Sequence, residues 1–250
     1  LPTEGDKGRH GTYYHVSFYD LQAANHITML PNSMEFVEKE LGDAMTHGIT
    51  DLWVINASNI KPHVYPLSFI ANLWKRNALS AGEHRKKYIR EYYGTDCTEN
   101  ELTFMEECIN RYPEVMLPFG DREDEHAGEQ FCNYVVRDFI HGWMKDGAVK
   151  PVEELFWCTR EDAFHKQMSW FEKKCSQTYD KIKELYHKCD AVKESELWKD
   201  SVLLQIKIHK HCLKGSILFA ESFWAYCEKD YRKSFFLLGN AVEAYDAADC

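Results

Sequence analysis

The chain has 250 residues and a formal net charge of −10, from 40 acidic and 30 basic side chains. That balance disfavours nucleic acid as a partner, because tracking phosphates calls for a basic surface. Apolar residues make up 44% of the chain, enough for a packed core and too many for a disordered one. No apolar run approaches the roughly 18 residues of a membrane span, and no signal peptide is read, so no membrane partner is expected either.

The length suits one large domain or two small ones. The first residue is Leu1 rather than Met, so the chain is expected to be processed, trimmed or part of something larger. Cys97, Cys108, Cys132, Cys158, Cys175, Cys189, Cys212, Cys227 and Cys250 are an odd set without a C-x-x-C pair. They read as reduced thiols filling helix faces in a cytoplasmic, reducing compartment. Neither a metal site nor a cofactor is expected.

Residues 1–11 read as an exposed Gly-rich segment. Residues 12–18 then read as a strand. Alternation puts Tyr13, His15 and Ser17 on a polar face, with Tyr14, Val16 and Phe18 on a greasier one. A long connection, 19–31, includes Asp20, Asn25 and His26, and loops of that length tend to be functional or disordered. Asn32 or Ser33 caps a helix to about His47, closed by Gly48, with Phe36, Val37, Leu41 and Ala44 or Met45 as its buried stripe. Leu52-Trp53-Val54-Ile55 is an almost continuous apolar run, which suits a parallel strand covered on both faces. Asn56 stands at its end, and Lys61 and Pro62 follow in the next loop. A strand, a helix and a strand make one βαβ unit.

Beyond Tyr65 the pattern is helical. Pro66 opens a helix over 67–77, and others follow at about 82–93, 98–112, 125–146, 162–190, 194–228 and 230–248. Met168, Phe171, Cys175, Tyr179, Ile182 and Tyr186, and Leu197, Leu204, Ile208 and Cys212, recur at helical spacing, as in a bundle. Trp143, Trp157, Trp170, Trp198 and Trp224 read as core. The predicted class is therefore mainly α with a small parallel β part. Two strands alone leave open edges, which invite pairing with further strands upstream or with a second copy of the chain.

The run Gly11-Thr12-Tyr13-Tyr14-His15, followed by Leu52-Trp53-Val54-Ile55-Asn56 and Ile60-Lys61-Pro62, resembles glycoside hydrolase family 115, the xylan α-glucuronidases. The resemblance is most specific over 11–75. Leu1-Pro2-Thr3, the stretch from Gln205 to His209, and Trp224-Ala225-Tyr226 resemble it too. It implies that 1–78 is the C-terminal portion of a TIM-like barrel and 79–250 a helical bundle domain. Working residues of barrels sit at the C-terminal strand ends and the loops that follow. The family removes glucuronic acid, or its 4-O-methyl form, from xylan with inversion, which needs a carboxylic acid and a carboxylate base. A uronate also needs a cation or strong donors.

The resemblance assigns substrate contacts to Tyr13, His15, Asn56 and Lys61, while Asn25 and His26 in the long loop read either as substrate contacts or as simple loop caps. The sequence departs from the family pattern where an Asp gives way to Ser17, where a Gly-Gly-Pro-Arg-like loop becomes Leu21 to His26, and near Asn59. Asp20 is the compensating candidate. In Asp121 to Glu129, His126 and Glu129 are expected on one helix face at i, i+3, with Glu125 supplying the second carboxyl and His126 a substrate contact. The bland reading of this segment is an acidic helix N-terminus. Three hypotheses stand: a glucuronidase-like hydrolase, a non-catalytic interaction or carbohydrate-binding protein on a degenerate hydrolase scaffold, and a metal-dependent hydrolase using the His126 cluster.

Overall fold

The structure, a computed structural model, describes residues 2, 7–18, 22–76, 79–95, 97–192 and 195–249. Strands β1 (Gly11–His15) and β2 (Leu52–Asn56) lie parallel, joined through helix α1 (Met34–Thr46). The register pairs Gly11 with Leu52 and His15 with Asn56. Ser33 caps α1 by accepting the Phe36 N–H, and Gly48 follows in the left-handed region at φ 81°. Met34, Val37 and Leu41 form its buried stripe, with Phe36 only half-buried.

Strand β1 is shorter than the sequence suggests. The N–H groups of Val16 and Ser17 both donate to Asn56 O, at 2.9 and 3.2 Å, which closes the ladder. The chain then turns, and Ser17 is buried at 1% exposure, not on the Tyr13–His15 face as predicted. Strand β2 is covered on one face only: Trp53 and Ile55 pack on the core with Tyr14, whereas Leu52 and Val54 are exposed. The apolar run suggested cover on both sides, but no second layer lies over this face among the described residues.

A 3-10 turn, Lys61–His63, leads into α2 (Val64–Trp74). The helix therefore begins ahead of Pro66, which sits in the first turn where its missing N–H breaks no helical bond. Helices α3 (Ala81–Tyr93) and α4 (Glu99–Arg111) each start on a capping box, Ser80 with Glu83 and Thr98 with Glu101. A short antiparallel pair follows, β3 (Leu117–Pro118) with β4 (His126–Ala127). Helix α5 (Gln130–Asp146) starts only after it. His126 and Glu129 therefore do not share a helix face: the first lies in a strand and the second precedes the helix. Sequence periodicity could not see this pair, because two-residue strands have no period.

Helices α6 (Phe164–Cys189), α7 (Glu196–Trp198), α8 (Leu204–Cys227) and α9 (Tyr231–Asp249) complete the chain. A π turn over Lys199–Leu203 links α7 to α8. Met168, Phe171, Cys175 and Ile182 are buried as read; α8 buries Ile206, Ile208, His209 and Leu213, while Leu197 is exposed. Gly215 lets α9 approach α8, since a Cβ there would meet the Tyr245 ring. Ser216 Oγ and Tyr245 OH are 2.8 Å apart across the same contact. Trp198 is fully buried and donates its indole N–H to Cys189 O at 3.0 Å. Trp157 instead lines an open cleft of about 630 Å³ with Phe119, Trp170 and Lys174. Cys108, Cys132, Cys158, Cys175 and Cys189 are buried free thiols.

One apolar core runs from Val16 to Ala244. The boundary expected at 78 falls on residues outside the described set. Among the described residues, no helix is long and apolar enough to cross a membrane.

Candidate functional site

The end of the parallel sheet gathers the polar and aromatic residues of the first segment. Tyr13 and His15 pack edge to face at 4.7 Å, and His15 and Phe18 do the same at 4.7 Å. Asn56 Nδ2 lies 3.2 Å from His15 Nδ1. The amide nitrogen can only donate, so Nδ1 accepts and the imidazole proton sits on Nε2. Tyr13 is 58% exposed and His15 is exposed, so this face is open to a ligand. Lys61, also exposed, opens the turn that follows β2 and makes no ion pair among the described residues.

Beneath this face the loop after β1 is pinned by a buried polar network. Asn25 Nδ2 lies 3.0 Å from Val16 O, 3.1 Å from Thr28 O and 2.9 Å from His63 Nε2. His63 Nδ1 lies 2.5 Å from Asn59 O, which can only accept, so Nδ1 carries the proton and Nε2 accepts from Asn25. Asn59 Nδ2 donates to His26 O at 3.1 Å, tying the 57–63 loop to the 22–31 loop. His63 is fully buried, and burial lowers its pKa from the ordinary histidine value, against the raising effect of its bond to Asn59 O and of Glu129.

Glu129 is the hub. Its Oε1 accepts the backbone N–H of His26 at 2.8 Å and of Ile27 at 3.1 Å, and its Oε2 accepts the Thr28 hydroxyl at 2.6 Å. A second buried branch joins the loop to α8. Met29 N donates to Gln205 Oε1 at 2.6 Å, and Tyr112 OH lies 3.2 Å from Met29 O and 2.9 Å from His209 Nε2. Met29 O can only accept, so Tyr112 donates to it and His209 Nε2–H donates to Tyr112 when both bonds form.

The predicted residues therefore fall into three groups. Tyr13, His15 and Asn56 come together, with Lys61 on the following turn. Asn25 is buried and His26 half-buried, and both hold the loops in place. Glu125 ends the β3–β4 connection and His126 opens β4: Glu125 Oε2 accepts Arg122 N–H at 2.9 Å, and His126 Nδ1 donates to Glu123 O at 3.1 Å. Among the described residues no three His, Cys, Asp or Glu side chains converge as metal ligands, at His126 or elsewhere. Asp20 lies outside the described residues. Asn59 and His63 were not among the predicted site residues, although both lie in the loop that follows Asn56 at the end of β2. Glu129 stood out in the sequence, but for a helix face it does not have.

A parallel strand–helix–strand unit with polar and aromatic groups toward its C-terminal end is a unit that parallel α/β folds share, and such ends are where they bind ligands. The model of glycosyl hydrolase family 115 matches residues 1–117, from ahead of β1 to β3. That stretch of the chain is similar to this family, in agreement with the resemblance carried by the Tyr13–His15 and Leu52–Asn56 segments. No curated protein matches the chain.

Proposed function

We propose that the chain contributes the closing section of a TIM-like barrel and the helical domain to an α-glucuronidase-type hydrolase. Its substrate is glucuronic acid, or the 4-O-methyl form, linked to xylan. The observation that supports this most is the meeting of Tyr13, His15 and Asn56 at the end of adjacent parallel strands within the family-matched segment. In this reading His15 Nε2–H and the Lys61 ammonium meet the uronate carboxylate, while Tyr13 and Asn56 bond sugar hydroxyls. Asn25, His26 and His126 line or support the mouth through their loops. Inversion calls for two carboxyls about 6.5–9.5 Å apart, one protonating the leaving oxygen and one activating water. Asp20 and Glu125 are the residues of this chain assigned to those roles.

One observation favours the second reading, a non-catalytic carbohydrate-binding protein on a degenerate scaffold. Ser17, where the family carries Asp, is buried and accepts the Ser58 N–H at 3.3 Å, a structural task. Two measurements separate the readings. Release of glucuronic acid from glucuronoxylan, lost in Glu125→Gln, supports the hydrolase. Calorimetric binding of glucuronic acid without any release supports the binding protein, and neither binding nor release by a chain carrying a complete barrel sinks both.

A further inference from the structure

An open cleft of about 630 Å³ lies between the β3–β4 connection, the connection from α5 to α6, and α6 itself. Its volume is that of a small-molecule site. All its lining residues come after residue 117, beyond the segment that the family model matches. Of the described residues assigned above, Glu125 alone borders it.

Trp157 forms a platform in this cleft. Its ring meets Phe119 edge to face at 5.4 Å and the buried Phe131 at 6.0 Å. These two contacts hold the indole in one orientation and leave it 37% exposed. Trp198 and Trp224 spend their indole N–H groups on Cys189 O and Glu172 Oε2. The Trp157 N–H meets no acceptor among the described residues. Other donors beside it are also unspent. Arg160 is exposed, and its guanidinium makes no ion pair or hydrogen bond among the described residues. Thr159 is buried at 6% exposure; its hydroxyl accepts the Glu161 N–H at 3.3 Å, and its own proton meets no acceptor among the described residues.

The charges of the lining decide which ligand fits. Arg122, Arg160 and Lys174 stand against Asp121, Glu125 and Glu161. Equal numbers of cations and anions leave little net field, so a polyanion gains nothing by entering. Donors and acceptors side by side suit hydroxyl groups, each of which is both. A flat indole suits the C–H face of a pyranose ring, whose slightly positive hydrogens meet the negative face of the aromatic. Platform and rim together describe a site for a neutral sugar.

We propose that this cleft is a second carbohydrate site, which takes the unsubstituted main chain of xylan, with one xylose on Trp157 and its hydroxyls on Arg160 and Thr159. That the sugar is xylose rests on the function proposed above; that it is neutral rests on the cleft alone.

Calorimetry of the whole chain with unsubstituted xylohexaose tests this, with glucuronic acid as the separate probe of the sheet end. Xylohexaose should bind saturably, and salt at about 0.5 M should not weaken it, since the ligand carries no charge to screen. Trp157→Ala should weaken it roughly tenfold, with Trp157→Phe milder because a ring remains. Arg160→Ala, at an exposed position, should weaken it about threefold with unchanged circular dichroism. None of these variants should alter glucuronic acid binding, and Lys61→Ala should not alter xylohexaose binding. Absence of xylohexaose binding by the folded wild-type chain overturns the proposal. So does binding indifferent to both Trp157→Ala and Arg160→Ala, and binding abolished by salt overturns the neutral ligand. Loss of both sugars together in Arg160→Ala merges the cleft with the sheet end and overturns a second site. Xylohexaose bound, with glucuronic acid neither bound nor released, sinks the function proposed above and supports the cleft; the reverse result removes the cleft alone.

Discussion

The Thr28 hydroxyl donates to Glu129 Oε2 at 2.6 Å, joining residues 101 positions apart in the chain. With the two N–H groups beside it, this bond fixes the loop after β1 to the start of α5. The loop carrying Asn25 and His26 thus owes its shape to a carboxyl group from a distant segment. Removing that group leaves those three donors, and the Gln130 side-chain amide that also bonds Oε1 at 3.1 Å, short of an acceptor in a site where Glu129 is only 5% exposed. Glu129→Ala should cost about 2–4 kcal/mol in urea unfolding, with Glu129→Gln milder because it keeps one acceptor oxygen. An unchanged midpoint would mean that water satisfies those donors and the loop does not depend on the residue.

Gly128 provides an independent check on the same junction. Its N–H donates to Ala23 O at 2.9 Å, and an added Cβ would collide with Ala24 O and Asn25 N. Those atoms are backbone and cannot swing aside. Gly128→Ala should destabilise the fold by about 1–3 kcal/mol and raise the hydrogen-exchange rate of the His26 and Ile27 amides.

The buried histidines make stability depend on pH. Burial pushes His209 down to about 4, with Glu129 opposing, and lowers His63 as well. Unfolded histidine titrates near 6.5. Above that pH both states hold the neutral ring, and nothing is lost. As pH falls from about 6.5 toward about 4 the unfolded chain binds protons that the folded one refuses, so stability declines, by on the order of 3 kcal/mol for His209. Below the folded pKa the His209 contribution stops changing. Denaturation midpoints of wild type and His209→Gln at pH 7.5, 6, 5 and 4 should converge as the pH drops, and parallel curves would rule out the neutral buried ring.

At the open face the expected effects are on binding rather than stability. His15 and Lys61 are exposed, so His15→Ala and Lys61→Ala should leave the unfolding midpoint within about 0.5 kcal/mol of wild type. Each should weaken glucuronic acid roughly tenfold or more in calorimetry if it meets the uronate. Xylose, which lacks the carboxylate, should be indifferent to Lys61→Ala; equal losses for both sugars would remove Lys61 from the carboxylate.

Much of the architecture was legible because its signals are local. Ser33 and Gly48 bracket α1, and the Leu52–Ile55 run marks β2, each through chemistry within a few residues. Alternation put Tyr13 and His15 on one face, and the family resemblance added Asn56 to them. Where those rules stop, so does the reading. Ser17 turns inward because one carbonyl, Asn56 O, takes two donors, which depends on a strand far along the chain. His126 left its predicted helix because pairing with Pro118 holds it in a strand, and Glu129 found its partners across a hundred residues.

The sequence by itself determined most of the helices, the caps of α1, the parallel unit and the family resemblance of the first segment, since periodicity and capping act between neighbours. Only the tertiary structure decided which polar side chains are tethers and which face solvent. A buried donor must be satisfied wherever the fold supplies an acceptor, so Asn25, His63 and Glu129 became a network that no spacing encodes.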